Sequence, residues 1–292
     1  MLSALLVCLC SPLSPVQAAS LRVAVVLSED GGAYQAFGDA LRSQLPPGRV
    51  ALYVQGADQP LGAADLYIPV GMKAASALAS RDVPTLSVLV PRAGYEQLLK
   101  TAERHGKPRS AVFLDQPVQR QVALLLAALP AVKQVGVLYA EHQPELLNLR
   151  HLLADKGIRL HDRIVDKTQS LNDALANILD VSEVLFVLAD SEVYNAGTIR
   201  NILLAAYRKQ VPLVGISQAY VKAGALCAIY STPEQIARQT AGLVERYAES
   251  GKLPAAQYPS EFEVSVNIQV ARSLEIHMKD AGQLRDEIRR IP

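Results

Sequence analysis

Short apolar runs alternate with amphipathic stretches along almost the whole chain, and this alternation limits the folds open to it. Apolar runs occur at 22–27 (RVAVVL), 65–70 (DLYIPV), 85–90 (TLSVLV), 111–114, 135–139 (VGVLY), 159–165, 184–189 (VLFVLA), 212–217 (PLVGIS) and 225–230 (ALCAIY). Near-continuous apolarity over so few residues suits strands covered on both faces, as in parallel sheets. Between them, segments 34–45, 73–80, 95–105, 117–129, 144–156, 170–180, 194–209 and 233–250 predict helices. The order is βαβα almost throughout, which implies doubly wound α/β sheets.

Capping residues support the segmentation. Thr232-Pro233-Glu234-Gln235 places a hydroxyl at the N-cap, proline in the first turn and an amide three residues on, a capping-box pattern. Pro117 and Pro144 open helices in a similar way. The stretch LLAALPAVKQVGVLY closes a helix, turns at Pro130 and starts a strand that reads as the first of a new sheet. Two α/β lobes with a junction near 115–133 are therefore expected.

At 292 residues the chain can bury a large core in two lobes of ordinary size. Its formal net charge of +1 gives no electrostatic reason to expect nucleic acid or an anionic membrane as a partner. The N-terminal MLSALLVCLCSPLSPVQAAS is apolar and too short to span a bilayer, with small residues near Ala18. It is read as a cleaved secretory signal over residues 1–19, in preference to a lipid anchor on Cys10. Cys8 and Cys10 fall inside it, leaving Cys227 alone in an apolar strand-like run, where a small buried hydrophobe is the reading.

The motifs of enzyme chemistry do not assemble. Gly31-Gly32 follows a strand, yet the chain has no G-x-G-x-x-G and no Walker lysine, so an ordinary turn is favoured over an anion cradle. His105, His142, His151, His161 and His277 share no metal-ligand spacing, and no G-x-S-x-G elbow occurs. No cofactor or metal is expected, and no catalytic residue is assigned.

In open α/β sheets ligands collect outside the carboxyl ends of the strands. The polar residues at those ends include Ser28, Asp30, Gly71, Met72, Arg92 and Asp115 in the first half. In the second half they include residues 166–170, Asp190, Tyr194, Asn195, Ser217, Tyr220, Tyr230 and Ser231. Any one of them is explained as well by helix capping or solvation. As a set, they suit a cleft for a small polar ligand. Arg92, were it to face that cleft, would favour an anionic ligand.

Four segments, 120–139, 184–195, 211–244 and 264–276 (VSVNIQVARSLEI), resemble the periplasmic solute-binding components of ABC transporters, in the branch that includes tryptophan- and tyrosine-binding proteins. The resemblance is continuous over about 110–290 and looser over 22–109. It implies a type I periplasmic-binding fold: two Rossmann-like lobes joined by crossover strands, with the ligand between them. Lobe 1 would comprise 20–115 plus about 231–258, and lobe 2 would comprise 116–230 plus about 259–292. In amino-acid-binding members an aspartate at the position of Asp190 would meet the ligand amine. The chain departs from many relatives at Met72, at Pro91-Arg92, at Ser217-Gln218 and at Thr232-Pro233-Glu234.

The expected function is capture of a small polar solute in the periplasm for an ABC importer, by a monomer that docks on the permease. The alternative from another class is a periplasmic sensor subunit that reports to a membrane kinase or cyclase.

Overall fold

The computed structural model describes residues 20–46, 48, 50–101, 106–140, 144–165 and 170–290. The expected signal segment 1–19, His105, His142 and residues 166–169 lie outside the described residues.

The first half runs β1 (Leu21–Leu27), α1 (Gly32–Gln44), β2 (Val50–Gly56), β3 (Leu66–Val70), α2 (Met72–Ala79), β4 (Thr85–Val90), α3 (Arg92–Thr101) and β5 (Arg109–Phe113). The middle runs α4 (Val118–Ala128), β6 (Gln134–Tyr139), α5 (Pro144–Ala154), β7 (Arg159–Ile164), α6 (Leu171–Leu179), β8 (Val184–Phe186), α7 (Ile199–Arg208) and β9 (Leu213–Gly215). The chain ends with α8 (Gln218–Ala223), β10 (Cys227–Tyr230), α9 (Pro233–Ser250), β11 (Glu263–Val266), α10 (Ile268–Ser273) and α11 (Ala281–Arg289).

These strands form two sheets. The first has five strands in the order β2-β1-β3-β4-β5, and the second has six in the order β11-β10-β9-β8-β6-β7. All pairings are parallel except β10 with β11, which is antiparallel.

The period of two along β1 shows why its run is apolar without a break. Val23, Val25 and Leu27 enter the cluster holding Phe37 and Leu41 of α1 and Ile236 of α9. Ala24 and Val26 enter a separate cluster with Ala74 and Leu78 of α2. Both faces are covered, so neither can carry polar residues. In the second sheet Val135 and Val137 pack with α4 and α5, while Leu138 packs with α6 and α7. Cys227 is fully buried in that core and its thiol is pushed up to about 12 by burial, in keeping with a small hydrophobe.

Three expectations needed correction. Strand β2 and strand β11 were absent from the apolar pattern, because their burial is only partial. Each lies at a sheet edge, where one covering layer is thinner and polar residues are tolerated. The helix expected at 194–209 begins only at Ile199, because Asn195 and Thr198 tie the preceding residues into turns. The expected strands 184–189 and 212–217 pair only over 184–186 and 213–215.

The connections between the sheets position the site. Residues 114–117 lead from β5 to α4, and 231–232 lead from β10 to α9. Helix α9 packs back on α1 and β4, and Gln257 then bridges to Val112 of β5 before the chain returns to β11. Side chains lace these passages together. Gln116 Nε2 donates to Ser231 Oγ at 2.8 Å, Ser231 Oγ donates to the Glu261 carbonyl at 2.5 Å, and Arg120 Nη1 donates to the Pro259 carbonyl at 3.0 Å.

Candidate ligand-binding site

The carboxyl ends of both sheets open onto one cleft of about 670 Å³. The first sheet contributes Leu89, Pro91, Leu114 and Asp115, with Ala33 from the start of α1. The second contributes Asp190, Tyr194, Ser217 and Tyr220, and Tyr230, Ser231 and Glu234 border the passage into α9. Three acids (Asp115, Asp190 and Glu234) line the cleft, and no Lys, Arg or His is among its described lining residues. The walls are otherwise mostly apolar or aromatic, as small-molecule sites commonly are.

Leu89 holds an unusual backbone. Its φ is +53°, and the β4–β5 register shifts between Val88 and Val90. A bulge with leucine in the left-handed region costs about 1–2 kcal/mol. It turns the end of β4 toward the cleft wall, and strain of this kind clusters at functional sites.

Asp190 is buried in the lining, with its oxygens already engaged. Oδ2 accepts from the Ala140 N–H at 2.7 Å, and Oδ1 accepts from the N–H groups of Glu192 and Val193 at 3.0 and 3.2 Å. The carboxylate therefore fastens the turn after β8 to the end of β6. Beside it Tyr194 is 5% exposed, and burial raises its phenol well above the usual tyrosine range. Tyr220 Oη donates to the Tyr194 carbonyl at 3.3 Å, and Tyr230 Oη pairs with Ser265 Oγ at 2.9 Å. Ser217 Oγ caps α8 by accepting from the Tyr220 N–H.

Asp115 differs from Asp190. Its Oδ2 accepts the Arg92 N–H at 2.5 Å, and its carboxyl is pushed up to about 6, chiefly by burial and further by the charge of Glu145. That environment disfavours the bare carboxylate and would welcome a cation.

Of the residues expected at the strand ends, Asp115, Asp190, Tyr194, Ser217, Tyr220, Tyr230 and Ser231 line the cleft. Ser28, Asp30, Gly71, Met72, Arg92 and Asn195 do not line it, for identifiable reasons. Ser28 is buried and its Oγ accepts the Ala74 N–H at 3.0 Å. Gly71 supports that turn with φ +86°, and a Cβ there would lie 2.7 Å from Ser28 Oγ. Asp30 is exposed. Met72 lies in an outer crevice that shares Pro91 and Asp190 with the cleft. Asn195 is a turn residue whose Oδ1 accepts the Gly197 N–H. Arg92 has its charge taken by Glu96 at 2.7 Å and Glu145 at 3.4 Å, with Nη1 donating to Tyr258 Oη at 2.9 Å. The condition for an anionic ligand, Arg92 facing the cleft, is therefore not met.

Residues missed by sequence reasoning include Leu89, Gln116, Gln121 and Glu234. Glu234 carries a signal, the capping box, which by itself predicts only a helix start. Leu89 had none, since nothing in TLSVLV announces a bulge.

Two α/β lobes whose sheets turn their carboxyl ends onto a shared cleft define a binding protein of the type I periplasmic-binding fold. Residues 59–284 match the family described as ABC transporter substrate binding protein, and the chain belongs to that family. It is 20% identical over 230 residues to the tyrosine-binding protein of Clostridioides difficile (strain R20291), covering 76% of this chain and 66% of that protein, just under two thirds of its length. Among solved structures it is similar to a conserved domain protein from Vibrio cholerae, at 26% identity and TM-score 0.65, over 91% of this chain and 98% of that one. It is also similar to an ABC domain from Streptococcus pneumonia in complex with L-Trp, at 16% identity and TM-score 0.68, with the same coverage of each chain. Among the described residues no helix is long and apolar enough to cross a membrane.

Proposed function

We propose that the chain is the solute-capture component of an ABC importer and that its solute carries a protonated amine on an aromatic or apolar body. The observation that carries this reading is the cleft itself, which has three acids, tyrosine walls and no basic residue among its described lining. A cation entering it gains Coulomb attraction in a shielded site, whereas an anion meets like charge. Asp115 is the carboxylate we assign to the amine, because the one hydrogen bond it takes from another residue is that of the Arg92 N–H. Asp190, the position that relatives suggest, holds three backbone N–H groups and shapes the loop beside the ligand. Tyrosine and tryptophan binding in the relatives accords with such a solute.

In this reading lobe 1 comprises 20–115 and about 231–258, and lobe 2 comprises 116–230 and about 259–292. The chain works as a monomer outside the cytoplasm, exported by residues 1–19, and closes around its solute before docking on a permease. Its role is binding, without catalysis.

Thermal-shift measurements with L-tyrosine, L-tryptophan, tyramine and citrate test this. An amine at about 100 times its Kd should stabilise the fold by about 2.7 kcal/mol, and citrate should not. Asp115→Asn should weaken the amine at least tenfold. Stabilisation by citrate with no response to any amine would overturn the assignment.

A further inference from the structure

We infer that Arg92 and Glu145 form a latch between the lobes, one that tightens as the cleft closes and passes through Arg92 to the ligand-facing Asp115. The inference rests on the two-lobed capture reading, but it concerns the chain without solute.

Arg92 is the first residue of α3, where the positive end of a helix disfavours a cation. Something else must hold it there. Glu96 does so from within the same helix at 2.7 Å. Glu145 reaches it from the other lobe at 3.4 Å, from the first turn of α5, where a carboxylate is favoured. Tyr258 stands between them. Its Oη accepts from Arg92 Nη1 at 2.9 Å and lies 3.5 Å from Glu145 Oε1, and its ring lies 5.7 Å from the guanidinium carbon.

The cross-lobe part of this contact is only half made. Glu145 Oε2 is buried with no hydrogen-bond partner, and its side chain is 14% exposed against 33% for Arg92. Its Oε1 has one hydrogen bond, from Tyr258 at 3.5 Å, and the ion pair with Arg92 at 3.4 Å, both long contacts. A shielded carboxylate in that condition gains from a closer cation. Helices α3 and α5 both start at carboxyl ends of strands, on the faces that look at each other across the cleft. Closure therefore shortens the contact. The Arg92 N–H meanwhile holds Asp115 Oδ2, so one residue joins the ligand-facing carboxylate to the opposite lobe. In the absence of solute the latch biases the lobes toward closure, which raises the binding-competent fraction and with it the apparent affinity.

The test is a spin-label distance between Ser80→Cys at the C-cap of α2 and Asn201→Cys on α7, both exposed positions, in a chain carrying Cys8→Ser and Cys10→Ser, with the native Cys227 buried. No solute is added. Glu145→Lys should move the distribution to longer distances than the parent chain shows. Glu145→Gln should fall between them, and Glu96→Gln, which removes only the partner within the lobe, should match the parent. Raising salt from about 0.05 M to about 1 M should lengthen the parent distance and leave Glu145→Gln unmoved. Coincident distributions for the parent and Glu145→Gln, together with no response to salt, would overturn the latch. A chain that captures no amine would still report on it, and a failed latch would leave the thermal-shift result standing.

Discussion

The two faces of the cleft are built from the same strand-to-helix turn, yet their polar groups serve different ends. On the first lobe Ser28 is turned inward to hold the Ala74 N–H, and the cleft wall includes the apolar Leu89, Pro91 and Leu114. On the second lobe Asp190 stays in the wall and holds three N–H groups. Asp115, in the passage between the lobes, takes one backbone N–H from another residue, that of Arg92, besides its own. A polar residue at the carboxyl end of a strand is thus first a means of satisfying the backbone. Its availability to a ligand depends on what that duty leaves over.

The largest effect should come from breaking this distinction at Asp190. Asp190→Ala leaves the N–H groups of Ala140, Glu192 and Val193 without their acceptor, and we expect a loss of about 3 kcal/mol, read from urea unfolding at unchanged m. Asp115→Asn in the same assay should be neutral or stabilising at pH 7. Equal stability of the two variants would erase the contrast.

On the first lobe Gly71→Ala should cost about 2 kcal/mol, because the new Cβ meets Ser28 Oγ and the Tyr34 ring at a φ of +86°. A cost near zero would mean that the Ser28 turn is slack.

The cap shared by both lobes is smaller in effect. Thr232 Oγ1 accepts the Gln235 N–H at 3.3 Å, and Gln235 Oε1 accepts the Thr232 N–H at 3.0 Å. Thr232→Ala should therefore lower stability by about 1 kcal/mol.

The last contrast is a pH dependence. The carboxyl of Asp115 sits above its ordinary 3.8, at about 6, so the folded chain binds its proton more readily than the unfolded chain does. The cost of its ionisation is absent below 3.8 and complete above about 6. Stability therefore falls as pH rises through that window, and Asp115→Asn should remove this slope. A parent chain and variant with the same pH profile would show that the cleft floor is fully hydrated.

Much of the framework was legible in the residues. The apolar runs marked nine of the strands, the capping box at Thr232 marked the start of α9, and Cys227 read as a buried hydrophobe. Strands β2 and β11 escaped because an edge strand with one thin cover need not be apolar on both faces. Of the strand-end residues, Asp190 and Tyr220 were legible as lining while Ser28 and Gly71 were not separable from them.

What the sequence determined by itself is whatever depends on neighbours within a turn: the periodicity of strands and helices, their caps, and hence the α/β class. Only the tertiary structure decided which carboxylates the backbone N–H groups take up. Asp190 meets Ala140 across 50 residues, Arg92 meets Asp115 across 23, and Glu145 reaches Arg92 from the other lobe. Hydrogen-bond satisfaction and burial are properties of groups brought together by the fold, and no local spacing in the chain records them.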